Sequence, residues 1–307
     1  MRKKDGFLFE LKKNKVLFIM IFPAVLYFFV FAYLPMGGIV LAFKEFKYSL
    51  GVFGSPWAGL DNFKFFFMSG TGWQVTKNTI IYNMVLMISS QGLGLLLAII
   101  FSQLNNKYFK KIFQSFIFMP YFISWVVVGV FIYNIFNYEM GSMNTLLKAF
   151  NLDKVDVYSN PGIWIYIIAF FNSWKWAGYL SLIYTSAIMG IDMQSLEAAD
   201  IDGANIFEKI RFIMLPSIFP TIVIMLLLNV GRLLRGDFQM FYQIVGNNGQ
   251  LFNATDVIDT YVFRGLTNSQ DLGMPAAAGL YQSVLCFIII LIVNGLVRRY
   301  DKDYSLF

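Results

Sequence analysis

The chain contains no histidine and a single cysteine, Cys286, among its 307 residues. Without imidazole there is no histidine metal ligand, general base or proton relay, and one thiol excludes an intrachain disulfide. Charge is also scarce. Lysine, arginine, aspartate and glutamate supply 14% of the residues, against 58% hydrophobic and 19% aromatic, too little for an ordinary soluble surface. The nucleotide-loop pattern GxxxxGK[ST] and the catalytic patterns HExxH, GxSxG and CxxC are all missing. Any energy drawn from ATP must therefore come from another chain. No long Ser/Gly/Pro linker, low-complexity tract or short-period repeat divides the sequence.

What the chain has in abundance is long apolar runs, and its mean hydropathy is +0.61. Crossing about 30 Å of hydrocarbon takes a helix of roughly 18 residues or more. Six runs qualify, at 16–43, 80–101, 112–136, 163–189, 217–234 and 275–297. In lipid the backbone must bond to itself, so each is expected to be a helix. Four carry no charge; the fourth contains Lys175 and the fifth Arg232. The expected fold is an all-α integral membrane protein with six transmembrane helices. Pro23, Pro35 and Pro120 read as ordinary membrane-helix prolines that kink their spans.

The formal net charge of +6 is distributed as a membrane protein distributes it. Basic residues gather before the first span (Arg2, Lys3, Lys4, Lys12, Lys13, Lys15), between the second and third (Lys107, Lys110, Lys111) and after the sixth (Arg298, Arg299, Lys302). By the positive-inside rule these segments face the cytoplasm, and the connections 44–79, 137–162 and 235–274 lie outside. Both termini are then cytoplasmic. The organisation expected is a basic segment 1–15, suited to lying on the inner membrane surface, and a first transmembrane helix 16–43. An extracellular loop 44–79, a core 80–297 of five further helices that includes a cytoplasmic loop 190–216, and a tail 298–307 follow. The first run is too long for a signal-peptide core and lacks a small-residue cleavage site, so it is expected to stay. Membrane lipid is the implied environment and nucleic acid is not a partner.

The cytoplasmic loop contains the stretch EAADIDGANIFEKIRFIMLP, residues 197–216. Residues 193–199 suit a short helix, and Gly203 supplies the backbone freedom for a sharp turn. Ile206, Phe207, Ile210 and Ile213 then recur at helical spacing, giving a second amphipathic helix. Pro216 is expected to start the fifth span. A helix-turn-helix of this kind is either a solvated connection or a docking surface on which Glu197 and Asp202 meet basic groups of a partner.

The residues also carry a resemblance. Glu197, Ala198, Ala199, Gly203, Ile213, Leu215 and Pro216 fit the EAA-x3-G-x9-I-x-LP loop of permease subunits of binding-protein-dependent ABC importers. The segments PMGGIVLAFKEF (35–46), GLDNF (59–63), FISWVVVGV (122–130) and VIDTYVFRGL (257–266) are similar to the carbohydrate-uptake branch, in particular its lipoprotein/polysaccharide-type permeases. The resemblance implies that residues 193–213 dock on two ATP-binding subunits. Glu197, Ala198, Ala199, Asp202 and Gly203 would lie at the contact, and Ile213, Leu215 and Pro216 would tie the loop to the bundle. It implies ATP and magnesium in those subunits and no cofactor, metal site or catalytic residue in this chain. It further implies a second homologous permease as heterodimer partner, an extracellular solute-binding lipoprotein and a bacterial cell membrane.

Cargo contacts are expected in the fourth and fifth spans. At 1.5 Å per residue Asn172 and Asn229 fall at similar depths, and buried amides suit hydroxyl-rich ligands. Trp176 and Tyr179 follow Asn172 at i+4 and i+7, whereas Trp174 alone reads as helix packing. The resemblance to maltose-type permeases implies sugar contacts at Asn172, at Tyr179 and on the fifth-span face of Asn229, taken here to extend to Arg232, Leu233 and Gly236. Lys175 and Trp176 stand where that family has smaller or apolar residues. A charge inside a bilayer normally faces a cavity or a partner, so Lys175 and Arg232 point to cargo bearing a carboxylate, with Asp237 available to Arg235. Two other classes differ in their needs. A stand-alone secondary transporter of a sugar or other polar solute needs coupling-ion sites, usually buried acids or broken helices, and the six runs hold no acid. A membrane-embedded glycan-processing enzyme needs paired carboxylates or a metal.

Overall fold

Long helices built from the apolar runs define the architecture of the computed structural model, which describes residues 13–104, 106–231, 233–268 and 271–300. Most of the expected interfacial segment, Arg232 and the end of the tail lie outside the described residues. No strand occurs among the described residues; a single isolated bridge joins Lys44 and Trp57.

The first run forms α1 (Lys15–Phe28), which continues through a π-turn at Phe29–Tyr33 and a 3-10 stretch at Leu34–Phe43. Pro23 sits inside α1 without ending it. After α2 (Asp61–Met68), α3 (Thr71–Ser102) starts nine residues before the expected second span and shortens the connection ahead of it. The third run divides into α4 (Lys107–Phe118) with a 3-10 turn at Met119–Phe122, and α5 (Trp125–Phe136). These two pieces are bent by 94°, where the sequence predicts one kinked span. The reason is local: Pro120 lies in the turn, Ile123 and Ser124 are extended, and the Ser124 hydroxyl accepts from the Val127 N–H to open a new helix.

After α6 (Ser142–Ala149), α7 (Trp164–Met189) is the central helix of the bundle, with buried positions along its whole length. Among the described residues, four helices are long and apolar enough to cross a membrane, Lys15–Phe43, Thr71–Ser102, Ile206–Val230 and Gly273–Arg299, or five if the bent pair counts as one. The expected fourth span, α7, is not among them. Its polar Asn172, Ser173, Lys175, Ser181 and Thr185 are buried against neighbours, so its surface need not match lipid. Close approach is set by small residues. A Cβ on Gly94 of α3 would lie 2.6 Å from the Leu180 Cβ, and one on Gly178 would lie 2.7 Å from the Ile117 carbonyl carbon of α4.

The loop after α7 forms α8 (Met193–Ile201) and α9 (Ile206–Lys209). The expected second amphipathic helix is not separate from the fifth span. α9 runs through a π-turn at Ile210–Met214 into α10 (Leu215–Val230) as one helix. Pro216 has no N–H to continue an α-type ladder, and the wider turn carries the chain past it without a break. The 235–274 connection is itself helical: α11 (Phe238–Val245) buries Met240, Phe241, Ile244 and Val245 against α5, and α12 (Ile258–Asn268) leads to α13 (Gly273–Tyr300). Large exposed side chains such as Ile19, Phe22, Phe31, Ile88 and Phe287 lie along these helices, as expected where lipid or another membrane subunit replaces water.

Candidate functional site: a helical turn and an aromatic cluster

Between α7 and α10 the chain presents a preformed turn. The Asp192 carboxylate caps α8 by accepting from the Gln194 N–H at 3.0 Å. At the other end of α8, the Asp202 N–H donates to the Ala198 carbonyl (2.9 Å), the Gly203 N–H to Asp200 (3.2 Å) and the Ala204 N–H to Ala199 (2.9 Å). This wrapping of the last turn requires a left-handed residue, and Gly203 sits at φ +78°. Asn205 opens α9 with a reciprocal capping box: its side chain accepts from the Phe207 and Glu208 N–H groups while Glu208 accepts from the Asn205 N–H at 2.7 Å. The Lys209 ammonium pairs with Asp200 across the turn.

These bonds leave Glu197, Ala198, Asp202 and Gly203 exposed, with Ala199 half-buried. Ile213 and Leu215 are half-buried and Pro216 is exposed. The turn therefore keeps its shape through backbone and capping bonds. Its outward face carries two acids and two small side chains, a surface able to meet a cleft with basic groups.

The second site lies where the broken α4–α5 pair meets α7. Tyr121, in the turn that ends α4, stacks on Tyr179 with ring centroids 4.9 Å apart and planes 11° apart. Trp176 meets Tyr121 edge-on at 5.4 Å and Tyr179 at 6.0 Å. Tyr179 remains partly exposed and Phe122 is exposed, so one side of this cluster is open. Tyr121 is a residue the sequence reading missed; the aromatic-rich MPYF next to Pro120 was the available signal.

The other expected cargo residues are spread more widely. Asn172 is buried and its amide donates to the Leu86 carbonyl of α3 at 3.4 Å, away from the aromatic cluster. Asn229 is exposed and bonds to Met225 of its own helix at 2.7 Å. Leu233 gives its carbonyl to Asn83 at 2.8 Å. Buried Gly236 donates its N–H to the Asp259 carboxylate at 2.6 Å, which also accepts from Gln282 at 2.8 Å. Burial pushes the Asp259 carboxyl above its ordinary value, opposed by those donors and by Arg235. Lys175 is not a free charge: its ammonium donates to the Tyr121 carbonyl at 3.0 Å and to the Ile123 carbonyl, with that of Pro120 at 3.5 Å, and is 7% exposed. No cluster of three potential metal-binding side chains occurs among the described residues.

A multi-helix membrane bundle with an exposed EAA-type turn defines the class, and residues 91–302 match the family described as binding-protein-dependent transport system inner membrane component. The match takes in most of the chain, and the protein belongs to this family: it is a membrane-embedded transport component, not itself an enzyme. Among individual relatives, Protein LplB of Bacillus subtilis (strain 168) is 30% identical over 294 residues, covering 95% of this chain and 92% of LplB. The polygalacturonan/rhamnogalacturonan transport system permease protein YteP of the same strain is also 30% identical, over 98% of this chain and 93% of its own. A solved bacterial ABC transporter involved in the import of the acidic polysaccharide alginate contains a chain of 30% identity and TM-score 0.86, covering 95% of this chain and 98% of that one. The same importer type, solved with an alginate pentasaccharide-bound periplasmic protein, gives 29% identity and TM-score 0.85.

Proposed function

We propose that this protein is the permease subunit of an ATP-driven importer for oligosaccharides or polysaccharide fragments, delivered by an extracellular solute-binding lipoprotein. The observation that carries the reading is the near full-length likeness to a subunit of an alginate importer, joined to the exposed turn at Gly203. In this account the protein spans the membrane six times, with α7 as the buried fourth span and the broken α4–α5 pair together forming the third. Both termini face the cytoplasm, as the basic clusters favour. The segment 1–15 lies on the inner membrane surface, the loop 44–70 lies outside, the core begins with α3 at Thr71 and runs to 297, and the tail 298–307 is cytoplasmic. A second, homologous permease covers part of the exposed apolar surface.

The turn centred on Gly203 seats in two-ATPase machinery that binds ATP and magnesium. Glu197, Ala198, Ala199, Asp202 and Gly203 form the contact, and Ile213, Leu215 and Pro216 transmit its movement directly along the continuous α9–α10 helix. ATP-driven closure favours the outward-open state and hydrolysis resets it. Cargo passes the open side of the aromatic cluster, where Tyr179 and Trp176 offer ring surface, with the exposed Asn229 on the neighbouring path; Asn172, Leu233 and Gly236, bonded to Leu86, Asn83 and Asp259, hold the helices around it. An acidic cargo is favoured by the polygalacturonan and alginate specificities of two relatives and by Arg232. The test is the assembled complex in proteoliposomes: galacturonate or alginate oligomers with the binding protein should stimulate hydrolysis, and Tyr179→Ala should weaken the response. An unchanged response in Tyr179→Ala removes the aromatic site from the account.

A further inference from the structure

The geometry points to Lys175 as a built-in cation that closes the break in the third span and holds Tyr121 against Tyr179, making it a positioning residue rather than a ligand for cargo. A helix that ends inside a bundle leaves its last carbonyls without partners, and in a membrane no water is at hand to satisfy them. The break after α4 leaves the carbonyls of Tyr121 and Ile123 to the Lys175 ammonium, which also reaches, at 3.5 Å, the Pro120 carbonyl that accepts the Ile123 N–H at 3.1 Å. Three donors meet three acceptors. A cation at a helix C-terminus also matches the dipole there.

The surroundings fit the same purpose. The ammonium lies 5.2 Å from the centroid of the buried Trp125 ring, a distance at which a ring face stabilises a cation. The Trp125 indole N–H in turn donates to the Asp237 carboxylate at 2.9 Å, and Asp237 caps α11 through the Met240 N–H at 3.1 Å. The carboxylate thus balances the lysine charge through one intervening ring instead of by direct pairing. Gly178, one helical turn from Lys175, lets α4 approach α7 closely enough for the carbonyls to reach. A broken helix with convergent carbonyls is also what a coupling-ion site needs. Here the chain's own ammonium already sits among those acceptors, and its charge disfavours a second cation beside it.

The consequence for transport follows from Tyr121, whose backbone carbonyl is held by Lys175 while its ring stacks on Tyr179. Releasing the carbonyls frees the ring. This part rests on the sugar-importer reading; the structural part does not.

The structural part is tested in membranes carrying the full complex, with Cys286→Ala and Tyr121→Cys making residue 121 the sole thiol of this chain. Labelling by a small maleimide should accelerate about tenfold in Lys175→Met, the scale of losing a charge-assisted hydrogen bond. It should rise less in Lys175→Gln, which keeps two donors, and least in Lys175→Arg. An unchanged rate in both Met and Gln variants overturns the inference, and Gln supplies the comparison if the Met variant fails to assemble. The transport part uses a galacturonate trimer. Lys175→Met and Tyr121→Ala should each raise half-saturation for the trimer, and the double variant should match the singles. Multiplying effects would make Lys175 an independent cargo contact and refute the positioning role. No trimer-dependent hydrolysis in the unmodified complex, with labelling still accelerated, would count against the cargo assignment and in favour of the clamp.

Discussion

Gly178→Ala isolates the packing on which the broken span depends. A Cβ at this position would lie 2.7 Å from the Ile117 carbonyl carbon and 2.8 Å from the Phe118 Cα, with the Ile117 carbonyl oxygen nearer still. All three are backbone atoms, so no side chain can swing aside. Restoring ordinary carbon contacts near 3.5 Å requires α4 to retreat by roughly 1 Å. The Lys175–Tyr121 bond, now 3.0 Å, would then stretch beyond hydrogen-bond range. Overpacking of this kind costs about 1–3 kcal/mol, equivalent to a factor of roughly 5 to 150 in a folding equilibrium. Thermal denaturation of the detergent-purified complex should show a midpoint several degrees lower for Gly178→Ala. Gly92→Ala, where a Cβ meets nothing within 4 Å, should leave it unchanged within this chain's own packing. Equal midpoints for Gly178→Ala and the unmodified protein would refute the reasoning.

Gly203→Ala should weaken coupled ATP hydrolysis mildly, because the left-handed turn costs an L-residue about 1–2 kcal/mol while no atom lies within 4 Å of the new Cβ. Gly203→Pro should abolish coupling, since proline cannot adopt φ +78° and loses the N–H bonded to Asp200; hydrolysis assays on membrane-inserted protein decide, and full coupling in the proline variant would remove the turn from the mechanism. Arg264→Met strips the partner from Asp256, whose side chain is only 5% exposed, and should destabilise by about 3–5 kcal/mol; Asp256→Asn in the same chain should recover part of the lost denaturation midpoint. Asp259 is held above its ordinary value by burial, so the folded protein binds the extra proton and stability falls as pH rises from 3.8 through the raised value. Asp259→Asn, whose single carbonyl oxygen can still accept from Gly236 and Gln282, should flatten that decline in a pH series of denaturation midpoints.

The apolar runs and the turn at Gly203 were legible because each rests on one local rule: hydrocarbon thickness for the spans and left-handed backbone for the glycine. Ser124 and Pro120 together signal the helix break, a proline followed four residues on by an N-cap, yet the uninterrupted apolarity of 112–136 masks it. In the sequence Lys175 is a charge awaiting cargo, because sequence cannot show that carbonyls of the break between α4 and α5 converge on it. The joining of α9 to α10 escaped for a related reason: Pro216 marks a helix start in the sequence, but a π-turn lets a helix pass through it. The helical 235–274 connection was hidden by its short pieces, whose burial depends on α5 and α13 rather than on their own length.

The central claim is that this chain transports only when driven by ATPases docked on its Gly203 turn, and the direct measurement is ATP hydrolysis by the complete complex in proteoliposomes with Glu197→Lys as comparison. The account predicts hydrolysis stimulated by the cargo-loaded binding protein, with stimulation lost in Glu197→Lys although the variant remains in the membrane. Uptake by this chain alone, driven by an ion gradient and indifferent to Glu197→Lys, would contradict it.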